Sequence, residues 1–211
     1  MSSIRASRPL PRPNTPVLAL VSALLAAAVL GGCAASATPL PDASGPCGGA
    51  DVQRAAGFYP DLERVVPDTL GGLAPAIRDS GRYCSEKMLG PLAGAGHDEV
   101  RFAGSTFQET SQSGISLIVY AAPALTAEQV GSAFRAGSGA GRRVQLVSDE
   151  ARDVHGREGR RIELINGDTR QVVVVWPATT PDMVDIVIGV DVSNASIDAA
   201  VDAFEEFGSS Q

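Results

Sequence analysis

The sequence predicts an α+β fold: a two-layer domain, mainly antiparallel sheet, with helices packed on one face. Three observations carry that prediction. Along Met183–Asp191, Val184, Ile186, Ile188 and Val190 point one way while Asp185 and Asp191 point the other, the period of two expected of a strand with one face on the core and one in water. Asn166-Gly167 lies between two further β-rich runs and favours the tight turn that joins antiparallel neighbours. Two segments, one opening at Thr126 and one near Ala195, carry helical stripes instead of strand alternation.

Residues 1–32 precede this domain. Arg5, Arg8 and Arg12 lie in an acid-free start, Val17–Leu30 is almost unbroken Val, Leu and Ala, and Gly31-Gly32 closes the run. That order of basic, apolar and small residues is that of a secretory signal peptide. Val17–Gly32 is 16 residues long, short of the roughly 20 that a permanent helical span needs. Leu30-Gly31-Gly32-Cys33 then resembles the lipobox of bacterial lipoproteins, although Gly31 stands where Ala or Ser is more usual. The resemblance implies that residues 1–32 are removed and that Cys33 becomes the lipidated first residue, its acyl chains (palmitate among them) holding the chain on the extracytoplasmic face of the cell membrane. Two acyl chains anchor stably where one binds only marginally. The alternative is an unlipidated secreted chain cut near Ala34-Ala35-Ser36-Ala37.

Residues 33–49 are rich in Ala, Ser, Pro and Gly, and read as a flexible tether to a single globular domain over residues 50–211. Three of the 17 basic residues belong to the leader, which leaves 14 against 24 acids and a formal charge of −10. Such a surface argues against nucleic acid as a partner. With Cys33 assigned to the anchor, Cys47 and Cys84 are the one remaining pair in an oxidising compartment. A disulfide closing that span stabilises by about 4 kcal/mol on the chain-entropy account. Two free thiols or metal ligands are the other option, and ligand-spaced His or Cys neighbours are missing.

Within the domain, Asp51–Arg54 is expected to begin a short helix and Asp61–Val66 to make another turn of one before Pro67. Ala76–Cys84 reads as a strand, and Ser85 caps a short helix that Gly90-Pro91 weakens. Val100–Glu109 and Ile115–Ala121 are strands joined by a polar turn. Thr126 and Gln129 form a capping box, with Leu125 and Val130 placed as a hydrophobic staple. That helix is expected to end in Gly137–Gly141. Four strands follow, at Val144–Ser148, Arg160–Ile165, Gln171–Trp176 and Met183–Asp191. Val172–Val175 has no polar member, which predicts a central strand covered on both faces. The closing helix is expected to be capped by Asn194, with Ile197, Ala200, Val201, Phe204 and Phe207 as its stripe and Asp198, Asp202, Glu205 and Glu206 on its wet face.

The chemistry-bearing clusters are few. His97-Asp98-Glu99 offers an acid/base or metal-ligand triplet without a second cluster to complete it. Arg157, Arg160 and Arg161, beside Gly156 and Gly159 and with Arg142 and Arg143 nearby in sequence, form a possible anion-binding group; the competing reading is charges guarding an edge strand. Asp149, Glu150 and Asp153 lack calcium-loop spacing and read as a solvated face. The sequence offers no nucleophile elbow, P-loop or zinc-helix motif, so no catalytic residue, cofactor or metal is assigned. The functional expectation is a membrane-anchored, non-catalytic module that binds an envelope protein or small ligand. A lipid or small-ligand carrier is the alternative, and a hydrolase comes third. An apolar pocket of roughly 300 Å³ or more separates a carrier from a plain interaction module.

Overall fold

The structure is a computed structural model that describes residues 42–47, 52–140 and 144–210, with backbone alone at 138–140. The leader, the Cys33 lipidation site, most of the tether, and Arg142 and Arg143 lie outside these residues.

Chain order is β1 (Val52–Ala55), α1 (Pro60–Arg64), β2 (Ile77–Tyr83), α2 (Glu86–Leu89), α3 (Pro91–Gly94), β3 (Val100–Gln108), β4 (Gly114–Ala121), α4 (Ala127–Ala140), β5 (Val144–Val154), β6 (Arg157–Asn166), β7 (Thr169–Pro177), β8 (Met183–Val190) and α5 (Asn194–Ser209). The eight strands make one sheet in the order β1-β2-β3-β4-β8-β7-β6-β5. Every neighbouring pair is antiparallel. The chain thus lays down a four-stranded meander, crosses through α4 to the far edge, and returns as a second meander whose last strand docks on β4.

The mainly antiparallel sheet with helices agrees with the sequence. The packing of helices on one face does not. Alternate residues of β7 enter different cores: Val172, Val174 and Trp176 join Ile197, Ala200, Val201 and Phe204 of α5 and Leu62 of α1. Val173 and Val175 join Val130 of α4, Leu89 of α2 and Leu92 of α3. Since successive strand side chains point to opposite faces, the sheet lies between two helical layers. Val172 through Val175 are fully buried, as a strand covered on both sides requires.

Local signals explain several elements. The Thr126 amide donates to Gln129 Oε1 at 2.9 Å, and the Gln129 amide donates to Thr126 Oγ1 at 3.2 Å, so the capping box is formed. Leu125 and Val130 are both buried in the same cluster. His155 (φ 49°) and Gly156 (φ 81°) make the two-residue turn between β5 and β6, whose left-handed backbone matches the twist of the paired strands.

Other expectations are corrected. Val52–Ala55 is an edge strand paired with Ser80–Tyr83, not a helix start. α4 continues through Gly137 to Ala140 where a helix end was expected. β5 runs on to Val154, so Asp149, Glu150 and Asp153 lie on a strand. Ser193, not Asn194, caps α5, accepting from the Ser196 amide at 3.0 Å. Among the described residues, no helix is long and apolar enough to cross a membrane.

Candidate functional site

The layer of α2, α3 and α4 does not close over its half of the sheet. Ser85 caps α2, accepting from the Met88 amide at 3.3 Å, and Gly90 at φ 53° turns the chain sharply into α3. On the other side stands α4, held at its start by the capping box. Between them lies a cleft of about 420 Å³. Leu89 and Leu92 line it from α2 and α3, and Val130, Ala133, Phe134 and Gly137 from α4. These four α4 positions follow the three- and four-residue spacing that places side chains on one helix face.

The sheet supplies the floor, with Tyr83, Tyr120, Leu164 and Gln171. Tyr120 donates to the Tyr83 hydroxyl across 3.5 Å, and the Tyr83 ring stacks on Phe102 at 4.7 Å. Burial, reinforced by Tyr83, pushes the Tyr120 phenol well above its usual range, so it stays protonated and a donor. An apolar enclosure with a few convergent polar groups is the form of a small-molecule site.

A larger basin of about 630 Å³ lies over Gly96–Glu99, Arg101 and Asp182. His97, Glu99, Arg101 and Asp182 are already engaged there. His97 is buried with its Nε2 3.2 Å from Gln129 Oε1, which ties the loop to the cap of α4. Glu99 accepts from Arg101 at 2.7 Å and from Arg82 at 3.2 Å, and Asp182 accepts from the Ala124 amide at 2.9 Å. Within the triplet, His97 and Glu99 are thus held by separate partners, and Asp98 is exposed.

The three arginines also fail to form one group. Arg160 lies on the α4 face, 2.6 Å from Asp149 and 3.2 Å from Glu128. Burial alone would raise the Asp149 carboxyl; Arg160 and Arg135 outweigh it and hold that carboxyl below its usual range. Arg157 and Arg161 occupy the opposite face. Arg161 donates to Asn194 Oδ1 at 2.8 Å, and Arg157 is ion-paired with Glu205 and donates to the Pro177 carbonyl at 3.0 Å. Their charge is spent on internal carboxylates and carbonyls, so the geometry does not assemble an anion site from Arg157, Arg160 and Arg161.

Cys47 and Cys84 are bonded, with their Cα atoms 5.3 Å apart. Arg82, buried, donates to the carbonyls of Gly45 at 2.8 Å and Asp42 at 3.2 Å, so residues 42–47, expected to be tether, are fastened to β2. The Cys47, Cys84 and Glu99 ligand atoms lie close enough for a metal. The sulfurs, bonded to each other, offer no thiolate to one.

Two carboxylates read from the sequence as solvent-facing are placed otherwise. Glu205 is buried on the sheet side of α5, ion-paired with Arg157 and accepting from the indole Nε1 of Trp176. Asp185 faces the same layer: it pairs in register with Val119 and Trp176 and lines a cavity of about 50 Å³ beside Phe204. Desolvation pushes its pKa up to about 7, against a smaller lowering by Arg157. One signal for the first was in the sequence, an Arg and a Trp on neighbouring strands able to neutralise and bond a buried Glu, but pairing register was needed to see it.

No family model matches the chain, and no curated protein matches it. Among solved structures, the chain is similar to the solution structure of cyanobacterial PsbP (CyanoP) from Synechocystis sp. PCC 6803, at 20% identity over 79% of this chain and 96% of that one, with a TM-score of 0.30.

Proposed function

We propose that this chain is an extracytoplasmic lipoprotein, anchored through Cys33, that binds a small apolar or amphipathic ligand in the cleft between α2, α3 and α4. The single observation that carries the reading is the cleft itself. Its volume of about 420 Å³ exceeds the roughly 300 Å³ that a small-molecule site needs and a plain interaction module does not. The walls, Leu89, Leu92, Val130, Phe134 and Leu164, favour hydrocarbon or ring surface. The hydroxyls of Tyr83 and Tyr120 favour one polar atom on the ligand at the floor. The lipobox resemblance and the Cys47–Cys84 bond support an exported, oxidising location. This choice moves a ligand carrier ahead of the plain interaction module, and no group in the cleft supplies a nucleophile with an adjacent base for hydrolysis.

The test is native mass spectrometry of the full chain extracted from membranes in mild detergent. The reading expects a 1:1 adduct that dissociates on gentle activation and a diacylglyceryl-modified Cys33. A protein that is consistently free of adduct, and that also fails to take up neutral amphiphiles added at micromolar concentration, contradicts it.

A further inference from the structure

The cleft between α2, α3 and α4 has one end that differs from the rest of it. Among the described residues, Lys87 is the one charged side chain that lines the cleft, and no carboxylate does. The chain as a whole leans the other way, with 24 acids against 17 bases, and Lys87 is its one lysine. A cation at the mouth of an apolar cleft, in a protein otherwise acidic, selects for the charge of what enters.

Tyr83 stands four residues before Lys87 on the same wall. Tyr120 donates to the Tyr83 hydroxyl, which leaves the proton of Tyr83 for a further acceptor. Cys84 follows Tyr83 and is bonded to Cys47, so this wall is fastened to residues 42–47. An ammonium and an O–H donor on one fixed wall suit an oxyanion, since the first supplies charge and the second a directed hydrogen bond. An amine or a metal ion entering the cleft finds no carboxylate to pair with.

Shape and volume set the size of the ligand. From Tyr83 on β2 the floor crosses to Leu164 on β6, five strand positions away and up to about 24 Å of sheet. Such an elongated, apolar floor suits a chain. At roughly 30 Å³ for each unit the size of a water or a methylene, a cleft of about 420 Å³ holds about 14 such units. One carboxylate on a chain of about twelve carbons fills it, and a lipid with two long chains exceeds it.

We infer that the cleft takes a single-chain anionic amphiphile, its oxyanion held by Lys87 and Tyr83 and its chain laid along the sheet toward Leu164. The inference rests on the cleft being the ligand site proposed above, and it adds the charge and the size of the ligand.

Calorimetric titration of the full chain, in one fixed detergent at pH 8, compares laurate with 1-dodecanol in the wild type and in Lys87→Gln. Each ligand is read as the ratio of its affinities for the two proteins, in which partition into the detergent cancels. Laurate is expected to lose at least roughly fivefold more affinity than dodecanol, the scale of one charge-assisted contact at a solvent-exposed mouth. Lys87→Arg, which keeps the charge, is expected to recover most of that loss. Lys87 is exposed, so both variants are expected to fold as the wild type does. Equal losses for the two ligands, or a loss that Lys87→Arg does not recover, overturn the inference and leave the cleft a site for neutral ligands. Binding of neither ligand to the wild type overturns the inference and the cleft reading together.

Discussion

The two long helices cover opposite faces of the sheet and are similar in length, 14 residues for α4 and 16 for α5. They pack differently. α5 buries Ile197, Ala200, Val201 and Phe204, and it approaches β8 so closely that a Cβ on Gly189 would lie 2.8 Å from Ile197 Cγ1. α4 presents Ala133 and Gly137 where α5 presents large side chains, and the space not filled is the 420 Å³ cleft. The filled face also carries charged groups: Glu205 is buried on α5, and Arg157 and Asp185 lie half-buried beside it. Small residues on a helix make room for a ligand, whereas large ones seal polar groups into a low-dielectric layer where each must find a partner or a proton.

The largest expected effect breaks the comparison on the α5 side through pH. The folded-state pKa of Asp185 is raised from 3.8 to about 7, so the native state binds more protons than the unfolded state between those values. Stability present below the unfolded value is therefore lost as pH rises through about 7. The ceiling on that loss is about 4 kcal/mol. Asp185→Asn should flatten the profile and be more stable than wild type at pH 8, with the gap closing as pH falls toward 4. Urea denaturation across that range measures it; a wild type equally stable at pH 5 and pH 8, with no gain in the variant, would show that Asp185 ionises freely.

Gly189→Ala sharpens the same comparison with a smaller effect. The added methyl meets Ile197 and Val192 side chains at 2.8 Å, and overpacking of this kind costs about 1–3 kcal/mol. A denaturation midpoint unchanged from wild type would mean that α5 is free to shift outward and that its face is not tightly filled.

The comparison also shows which features the sequence made legible. Local rules worked where the deciding partners are a few residues apart: the Thr126–Gln129 box, the Ser85 cap and the turn at Asn166-Gly167 all depend on short spans. The all-apolar Val172–Val175 run announced a strand with two covered faces. Polarity misled where a distant partner neutralises it. Asp185 and Glu205 looked solvated because alternation and a helical stripe assign faces, not coverings; a second helical layer over β8 leaves Asp185 half-buried and Glu205 buried. The acids of β5 read as a solvated face, yet Asp149 is held by Arg135 and Arg160 across strand and helix. Val52–Ala55 has no periodic apolar signal, since an edge strand of four residues is defined by its pairing with β2. The cleft was not legible either, because it arises from where α4 and the α2–α3 pair sit and not from any motif.

The central claim is that the space beneath α4 is a binding site and not slack packing, and Ala133→Trp tests it most directly. Ala133 is half-buried and lines the cleft, so an indole there occupies the space a ligand would take. Titration with the neutral fluorophore N-phenyl-1-naphthylamine should saturate at one equivalent in the wild type and lose at least tenfold in affinity in Ala133→Trp, while the thermal midpoint of the variant stays at or above that of the wild type. Equal affinity in the two proteins, or a variant that binds normally but melts far lower, would contradict the account.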